Sequence, residues 1–267
     1  KDSIINDNFS LISKFIILVT IGMVLITSYR SLINNELMLF EFPLLILCST
    51  VGMMIMVSCQ DLLVLFVGLE LQALPLYVLS AFKRNNLRSS EAGLKFFLLG
   101  ALSSGLLLYG CSLIYGATGS TNLREIELTL SQGRENGMIT LLSGVALLMV
   151  GLAFKVGAVP FHMWAPDVYE GAPTSITAFM SAGPKAAAFA GFFRIVFVAL
   201  KPISDEWGGV VWVLAALTMT IGNLGALAQR NIKRMLAYSS VAHAGYVLVA
   251  MAAGNEKGIA GGLFYLF

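Results

Sequence analysis

The chain has 267 residues, 57% of them hydrophobic and only 12% charged, with a mean hydropathy of +0.82. Water-soluble domains carry about twice that share of charge, so an aqueous surface is excluded and the solvent must be lipid. The formal net charge of +2, with no basic stripe interleaved with aromatics, leaves no footprint for a nucleic-acid partner.

Eight apolar segments follow one another, at residues 11–29, 42–59, 61–82, 93–116, 138–164, 173–199, 207–228 and 235–253, and a ninth opens near residue 258. Each of the eight is about long enough, at roughly 20 residues, to cross a hydrocarbon core. Backbone polar groups must be paired in lipid, so such runs are helices or strands of a closed barrel. Barrel strands are about ten residues of alternating polarity; these runs are longer and continuously apolar, which predicts an all-α polytopic membrane protein. The chain opens at Lys1 without methionine and ends at Phe267 inside an apolar run too short to span. Residues 1–267 therefore read as one transmembrane domain, an internal part of a longer subunit.

Taken in order, the second segment holds Cys48 and Cys59, and the fourth holds Cys111. None forms a Cys-x-x-Cys pair, so all three read as small core- or lipid-facing residues. The third segment carries Glu70 and Pro75. The fourth opens with Glu91 and Lys95, a local helix pair or a snorkelling lysine, and continues into a small-residue patch of Gly100, Ser103, Ser104 and Gly105. Residues 117–137, with Arg124, Glu125, Glu127, Arg134 and Glu135, read as a solvated connection. The fifth segment holds Lys155 together with Gly151, Gly157 and Pro160. Proline removes a helix hydrogen bond, and a lysine-bearing span interrupted by glycine and proline predicts a discontinuous helix whose freed backbone lines an ion site. Pro75 and Pro184 mark further candidate interruptions. The sixth segment carries Lys185 directly after Pro184, then small residues from Ala186 to Gly191, then Arg194, which is expected to snorkel. Gly222 and Gly225 make a third small patch, and small faces let helices approach closely in lipid. The eighth segment holds His243.

If the segments alternate in direction, Arg30, Lys83, Arg84, Arg88, Arg230, Lys233 and Arg234 share one side. Lys1, Lys14, Arg124, Arg134, Lys201 and Lys257 share the other. The richer side is expected to face the cytoplasm or matrix.

Glu70, Lys155, Lys185 and His243 are the ionisable residues well inside predicted spans. A charge at mid-membrane is costly, so such groups face the bundle interior, pair with one another, or line water. Burial disfavours the charged form of any ionisable side chain. A buried lysine beside a glutamate, with a histidine further along, is therefore a proton-transfer element. The structural alternative is a static ion pair that fixes helix packing. His162, Asp167 and Glu170 match no metal-binding spacing. No phosphate-cradling loop, nucleophile elbow, haem motif or iron–sulfur motif is present, so redox chemistry is not expected in this chain.

The run from Gly151 to Thr174, GLAFKVGAVPFHMWAPDVYEGAPT, resembles the central signature of the antiporter-like membrane subunits of respiratory complex I. SAGPKAAAF at 181–189, QRNIKRMLAYSSVAHAGY at 229–246 and DLLVLFVGLELQALPLYVL at 61–79 are similar to the subunit 2 (bacterial subunit N) branch of that family. The resemblance implies an antiporter-like bundle with two inverted repeats, each containing a broken helix. Residues 42–199 would form the first repeat and 207–267 the incomplete start of the second. It further implies that Glu70, Lys155, Lys185 and His243 form a proton pathway driven by quinone reduction in neighbouring subunits. This chain would bind no cofactor, with NADH, FMN, iron–sulfur clusters and quinone held by other subunits of the complex. Its partners would be other complex I membrane subunits, including related antiporter-like ones, in a bacterial plasma membrane or mitochondrial inner membrane. The competing readings are a subunit of an Mrp-type cation/proton antiporter and a non-transporting membrane scaffold.

Overall fold

Short polar residues begin several of the helices, because a side-chain oxygen satisfies backbone N–H groups that the first turn leaves free. Asp7 and Ser10 bond each other's backbone at 2.8 and 3.1 Å. Asp61, Asn86, Asn122 and Asn231 each accept from two backbone N–H groups of the helix that follows. The computed structural model describes residues 3–34, 37, 39–133 and 137–266. Lys1, Arg134, Glu135 and Phe267 lie outside the described residues.

The helices run in the order α1 (Asn8–Asn34), α2 (Glu41–Ser58), α3 (Leu62–Ser80), α4 (Leu87–Thr118), α5 (Leu123–Ser131), α6 (Met138–Val156), α7 (Trp164–Gly171), α8 (Thr174–Arg194), α9 (Ser204–Leu227), α10 (Ile232–Ala252) and α11 (Glu256–Leu266). A π-helical turn (Ile195–Ala199) extends α8, and a 3-10 turn (Lys201–Ile203) leads into α9. Among the described residues there is no strand, only isolated bridges of Ile4 with Cys59 and Asp61 with Asn122. Eight helices are long and apolar enough to cross a membrane: α1, α2, α3, α4, α6, α8, α9 and α10. The chain is an all-helical multi-pass membrane protein.

Contacts define the two ends of the bundle. At one end Ile5 bonds Ser58, Leu123 bonds Gln60, and Arg194 reaches Asp7. At the other, Arg234 meets Asp167 and Asn231 meets Glu170. The centre is α8: 78% of its span is buried, against 28% for the span of α9. It packs on α1, α2, α3, α6, α7 and α10. Lipid supplies no hydrophobic drive between helices, so close backbone approach carries much of the packing. At Gly52 of α2 a Cβ atom would collide with the backbone of Gly68 and Gln72 in α3.

The segment 138–164 is interrupted where Gly157 and Pro160 predict a discontinuous helix: α6 stops at Val156 and a new helix begins at Trp164. Other expectations are corrected. Residues 117–137 are not simply a solvated turn, because α5 forms there and buries Leu123 and Ile126 against the π-helical turn. Pro75 and Pro184 do not interrupt their helices. The carbonyl that Pro184 leaves without a helix donor, that of Met180, accepts from the Tyr169 hydroxyl at 3.3 Å. Arg194 does not snorkel. Its side chain is 4% exposed and bonds both carboxylate oxygens of Asp7, at 2.9 and 3.0 Å, and the Val57 carbonyl at 3.1 Å. The small patch on α4 also divides: Gly105 faces open space, whereas Ser103 bonds the Gly151 carbonyl at 3.3 Å.

Candidate functional site

The site is organised by the interruption between α6 and α7. Gly157 adopts φ of 78°, a left-handed conformation that glycine takes at little steric cost. Its N–H bonds Phe154, and the next N–H, of Ala158, reaches back to Ala153 at 2.8 Å. This pair of bonds closes a helix C-terminus. The groups freed by the break are satisfied by protein, as lipid requires. The indole N–H of Trp164 donates to the Phe154 carbonyl at 2.9 Å, and the Val159 N–H donates to the Thr218 hydroxyl of α9 at 3.0 Å.

Lys155 lies in the last turn of α6, with its side chain 9% exposed. Its ammonium stands 3.8 Å from the Glu70 carboxylate of α3 and donates to the Tyr77 hydroxyl at 3.3 Å. Glu70, 24% exposed, accepts a hydrogen bond from the Ser104 hydroxyl of α4. Lys185 on α8 is 6% exposed and donates to the Ser240 carbonyl at 3.1 Å and hydroxyl at 2.8 Å, with the Tyr169 ring 5.6 Å away. A cavity of about 20 Å³, lined by both Lys155 and Lys185, lies between them. That volume accommodates about one water. His243, one turn beyond Ser240 on α10, is exposed and bonds the Tyr265 hydroxyl of α11. A larger cavity of about 700 Å³ is lined by Lys185, Ser240, His243 and Tyr265. The structure thus brings Glu70 to Lys155, places Lys155 and Lys185 on one small cavity, and places Lys185 and His243 on another.

A second cluster lies at one end of the bundle. Lys95 bonds Glu91 at 2.7 Å, as the local pairing suggests, and also Asp167 of α7 at 2.9 Å. Asp167 accepts from Arg234 of α10 at 2.6 Å, and Arg234 reaches Glu170 at 3.1 Å. Burial pushes the Asp167 carboxyl up, but hydrogen bonds from Lys95 and Arg234 outweigh it and hold the group below its usual range. Asp167 and Glu170 are thus paired with cations. No group of three His, Cys, Asp or Glu side chains able to hold a metal is present among the described residues.

Tyr77 and Thr218 carried no signal along the chain, and Ser104 stood out only as part of a small-residue packing patch. Each is an ordinary apolar-segment residue whose role depends on which helix faces it. Asp167 and Arg234 were visible as charges near span ends, but their pairing across 67 positions was not.

Residues 59–267 match the model of a family described as NADH:quinone oxidoreductase/Mrp antiporter, TM. The chain belongs to that family. Among members of the NADH:quinone oxidoreductase/Mrp antiporter family, the NADH-quinone oxidoreductase subunit N of Trichlorobacter lovleyi is 51% identical over 268 residues, covering 100% of this chain and 55% of that protein. A chain of respiratory complex I from Thermus thermophilus with bound aureothin superposes with a TM-score of 0.79 at 36% identity, covering 99% of this chain and 58% of that one. A chain of the Mrp complex from Dietzia sp. DQ12-45-1b superposes at 0.83 with 26% identity, covering 96% and 47%. The chain spans about half the length of the curated relatives it matches.

Proposed function

We propose that this chain is part of a proton-translocating, antiporter-like membrane subunit of an NADH:quinone oxidoreductase. The observation that carries the reading is Lys155 at the end of the interrupted helix, 3.8 Å from Glu70 and sharing a water-sized cavity with Lys185. A desolvated ammonium holds its proton while a charged carboxylate stays close. When quinone reduction in neighbouring subunits shifts charge along the polar axis, the Glu70–Lys155 pair loosens. The Lys155 ammonium then gives a proton, through a water in the small cavity, to a neutral Lys185 amine. Lys155 is left neutral and Lys185 charged. From Lys185 the proton enters the cavity it shares with Ser240 and His243.

In this reading residues 42–199 form the first of two inverted repeats and 207–267 open the second. The chain binds no cofactor itself; NADH, FMN, iron–sulfur clusters and quinone belong to other subunits. Glu70, a quarter exposed within a span, requires polar cover, which supports contact with neighbouring membrane subunits of the same complex. The 51% identity to a subunit N favours this reading over a cation/proton antiporter, for which the structural match carries 26%. The shared fold, with a TM-score of 0.83 to the Mrp chain, keeps that antiporter as the second reading.

The test is NADH-driven proton uptake into vesicles carrying the full-length subunit with Lys155→Ala, with assembly measured in parallel. Normal assembly with lost uptake supports the pathway. Unchanged uptake in an assembled complex overturns it and leaves Lys155 a packing residue. Cation-dependent proton exchange without an electron donor selects the antiporter instead.

A further inference from the structure

Among the described residues, one buried acceptor on the small cavity between the two lysines has no protein partner. Gln72 of α3 lines that cavity beside Lys155 and Lys185 and is 5% exposed. Its Nε2 donates to the Pro184 carbonyl of α8 at 3.4 Å. That bond settles which way the amide faces, because the reverse assignment would set two acceptors against each other. Oε1 is left buried, and no donor among the described residues reaches it. A buried polar atom is costly unless a hydrogen bond satisfies it. The other polar side chains of the cavity are engaged: Lys155 with Tyr77, Trp164 with the Phe154 carbonyl, and Lys185 with Ser240.

Gln72 is held from two sides. The Ser49 hydroxyl of α2 donates to its backbone carbonyl at 3.1 Å, and α2 lies so close that a Cβ at Gly52 would collide with its backbone nitrogen. Its amide is tied to α8 through Pro184. The position of Oε1 is therefore set by the packing of three helices, before any proton moves.

The cavity, at about 20 Å³, accommodates about one water. A buried water makes about three hydrogen bonds, and the lining offers three. Lys155 as an ammonium has an N–H beyond the one it gives to Tyr77. Lys185 as a neutral amine has two N–H groups, matched by the carbonyl and hydroxyl oxygens of Ser240, and so keeps its lone pair free. Gln72 Oε1 is the third.

We propose that Gln72 Oε1 anchors the water through which Lys155 passes its proton to Lys185. The proposal rests on the proton-translocation reading above and names what holds its water. The water accepts from the Lys155 ammonium, donates one hydrogen to Gln72 Oε1 and points the other at the Lys185 lone pair. Lys155 gives a proton to the water oxygen, and the water gives the hydrogen facing Lys185 to that amine. The water gains one proton and loses one, Lys155 ends neutral and Lys185 ends charged. The hydrogen on Gln72 stays in place, and the amide neither gains nor loses a proton. Gln72 is a positioning residue: it keeps the water's second hydrogen occupied, so that the first is the one aimed at Lys185.

The test uses complexes carrying the full-length subunit in vesicles, with Gln72→Met and Lys155→Ala, and reads assembly and NADH-driven proton uptake in H2O and in D2O. Gln72→Met keeps the length of the side chain and removes its acceptor. We expect normal assembly, uptake roughly 10-fold lower, the factor that one hydrogen bond to the water is worth, and an H2O/D2O rate ratio above that of wild type. The ratio rises because proton transfer through a poorly held water becomes the slow step. A packing defect lowers uptake without moving the ratio, so reduced uptake at the wild-type ratio overturns the proposal. Wild-type uptake in Gln72→Met with Lys155→Ala inactive overturns the role of Gln72 and leaves the lysine reading standing. Wild-type uptake in Lys155→Ala removes both. If Gln72→Met fails to assemble, Gln72→Asn decides, since it keeps the amide and draws its oxygen back by one carbon: lower uptake with a raised ratio supports the anchor, and any other result overturns it.

Discussion

Arg234, in the first turn of α10, bonds Asp167 on the resumed half of the interrupted helix at 2.6 Å. The same carboxylate accepts from Lys95 of α4 at 2.9 Å, so one side chain ties α7 to helices on either side of it. Partly exposed pairs are individually weak, but a network shares the entropic cost of holding its members.

Asp167→Asn should therefore destabilise the full-length subunit by about 1 kcal/mol at neutral pH. The Asp167 carboxyl is held below its ordinary value, so its contribution is present above the unfolded value of about 3.9 and is lost as pH falls through the lower folded value. Thermal unfolding in detergent should show wild type and Asp167→Asn separated at pH 7 and converging below about pH 4. An equal separation at both ends would show that the carboxylate's charge is not what stabilises.

Asp7→Asn should cost more. Arg194 is nearly fully buried and Asp7 is its carboxylate partner, so removing that charge leaves a buried cation uncompensated, at about 3 kcal/mol. Replacing both, with Asp7→Asn and Arg194→Met, should recover part of the loss. Unfolding temperatures of the two variants check this.

Thr218→Val removes the hydroxyl that accepts from the Val159 N–H within a fully buried site. An unpaired N–H in the interior costs about 1–3 kcal/mol, and the near-equal volume of valine leaves no cavity to confuse the reading. Thr218→Ser should behave as wild type. Stability without a difference between Val and Ser would place another partner on that N–H.

Gly157→Ala places a Cβ at φ of 78°, which costs about 1–2 kcal/mol in the left-handed region. The added carbon would stand 3.8 Å from the Lys185 ammonium nitrogen, an ordinary contact. The expected result is lower stability without steric displacement of Lys185, read by thermal unfolding beside proton uptake.

What the sequence determined by itself is whatever hydropathy and local chemistry sum along the chain. Runs of apolar residues placed all eight spans, because the cost of exposing polar backbone to lipid depends on length and composition alone. Gly157, Pro160 and Lys155 announced an interrupted helix, and Glu70, Lys155, Lys185 and His243 stood out as ionisable residues inside spans. Only the tertiary structure decided which of these groups meet. Arg194 reads as a snorkelling end residue until Asp7, 187 positions away, is folded against it. Pro184 reads as a break until the Tyr169 hydroxyl is seen on the carbonyl it frees. Tyr77 reads as filler and Ser104 as a packing residue until α3, α4 and α6 are set face to face, with Tyr77 on Lys155 and Ser104 on Glu70. The rotation of each helix about its axis decides which side chains share an interior, and that rotation is settled by packing against neighbours distant in the chain.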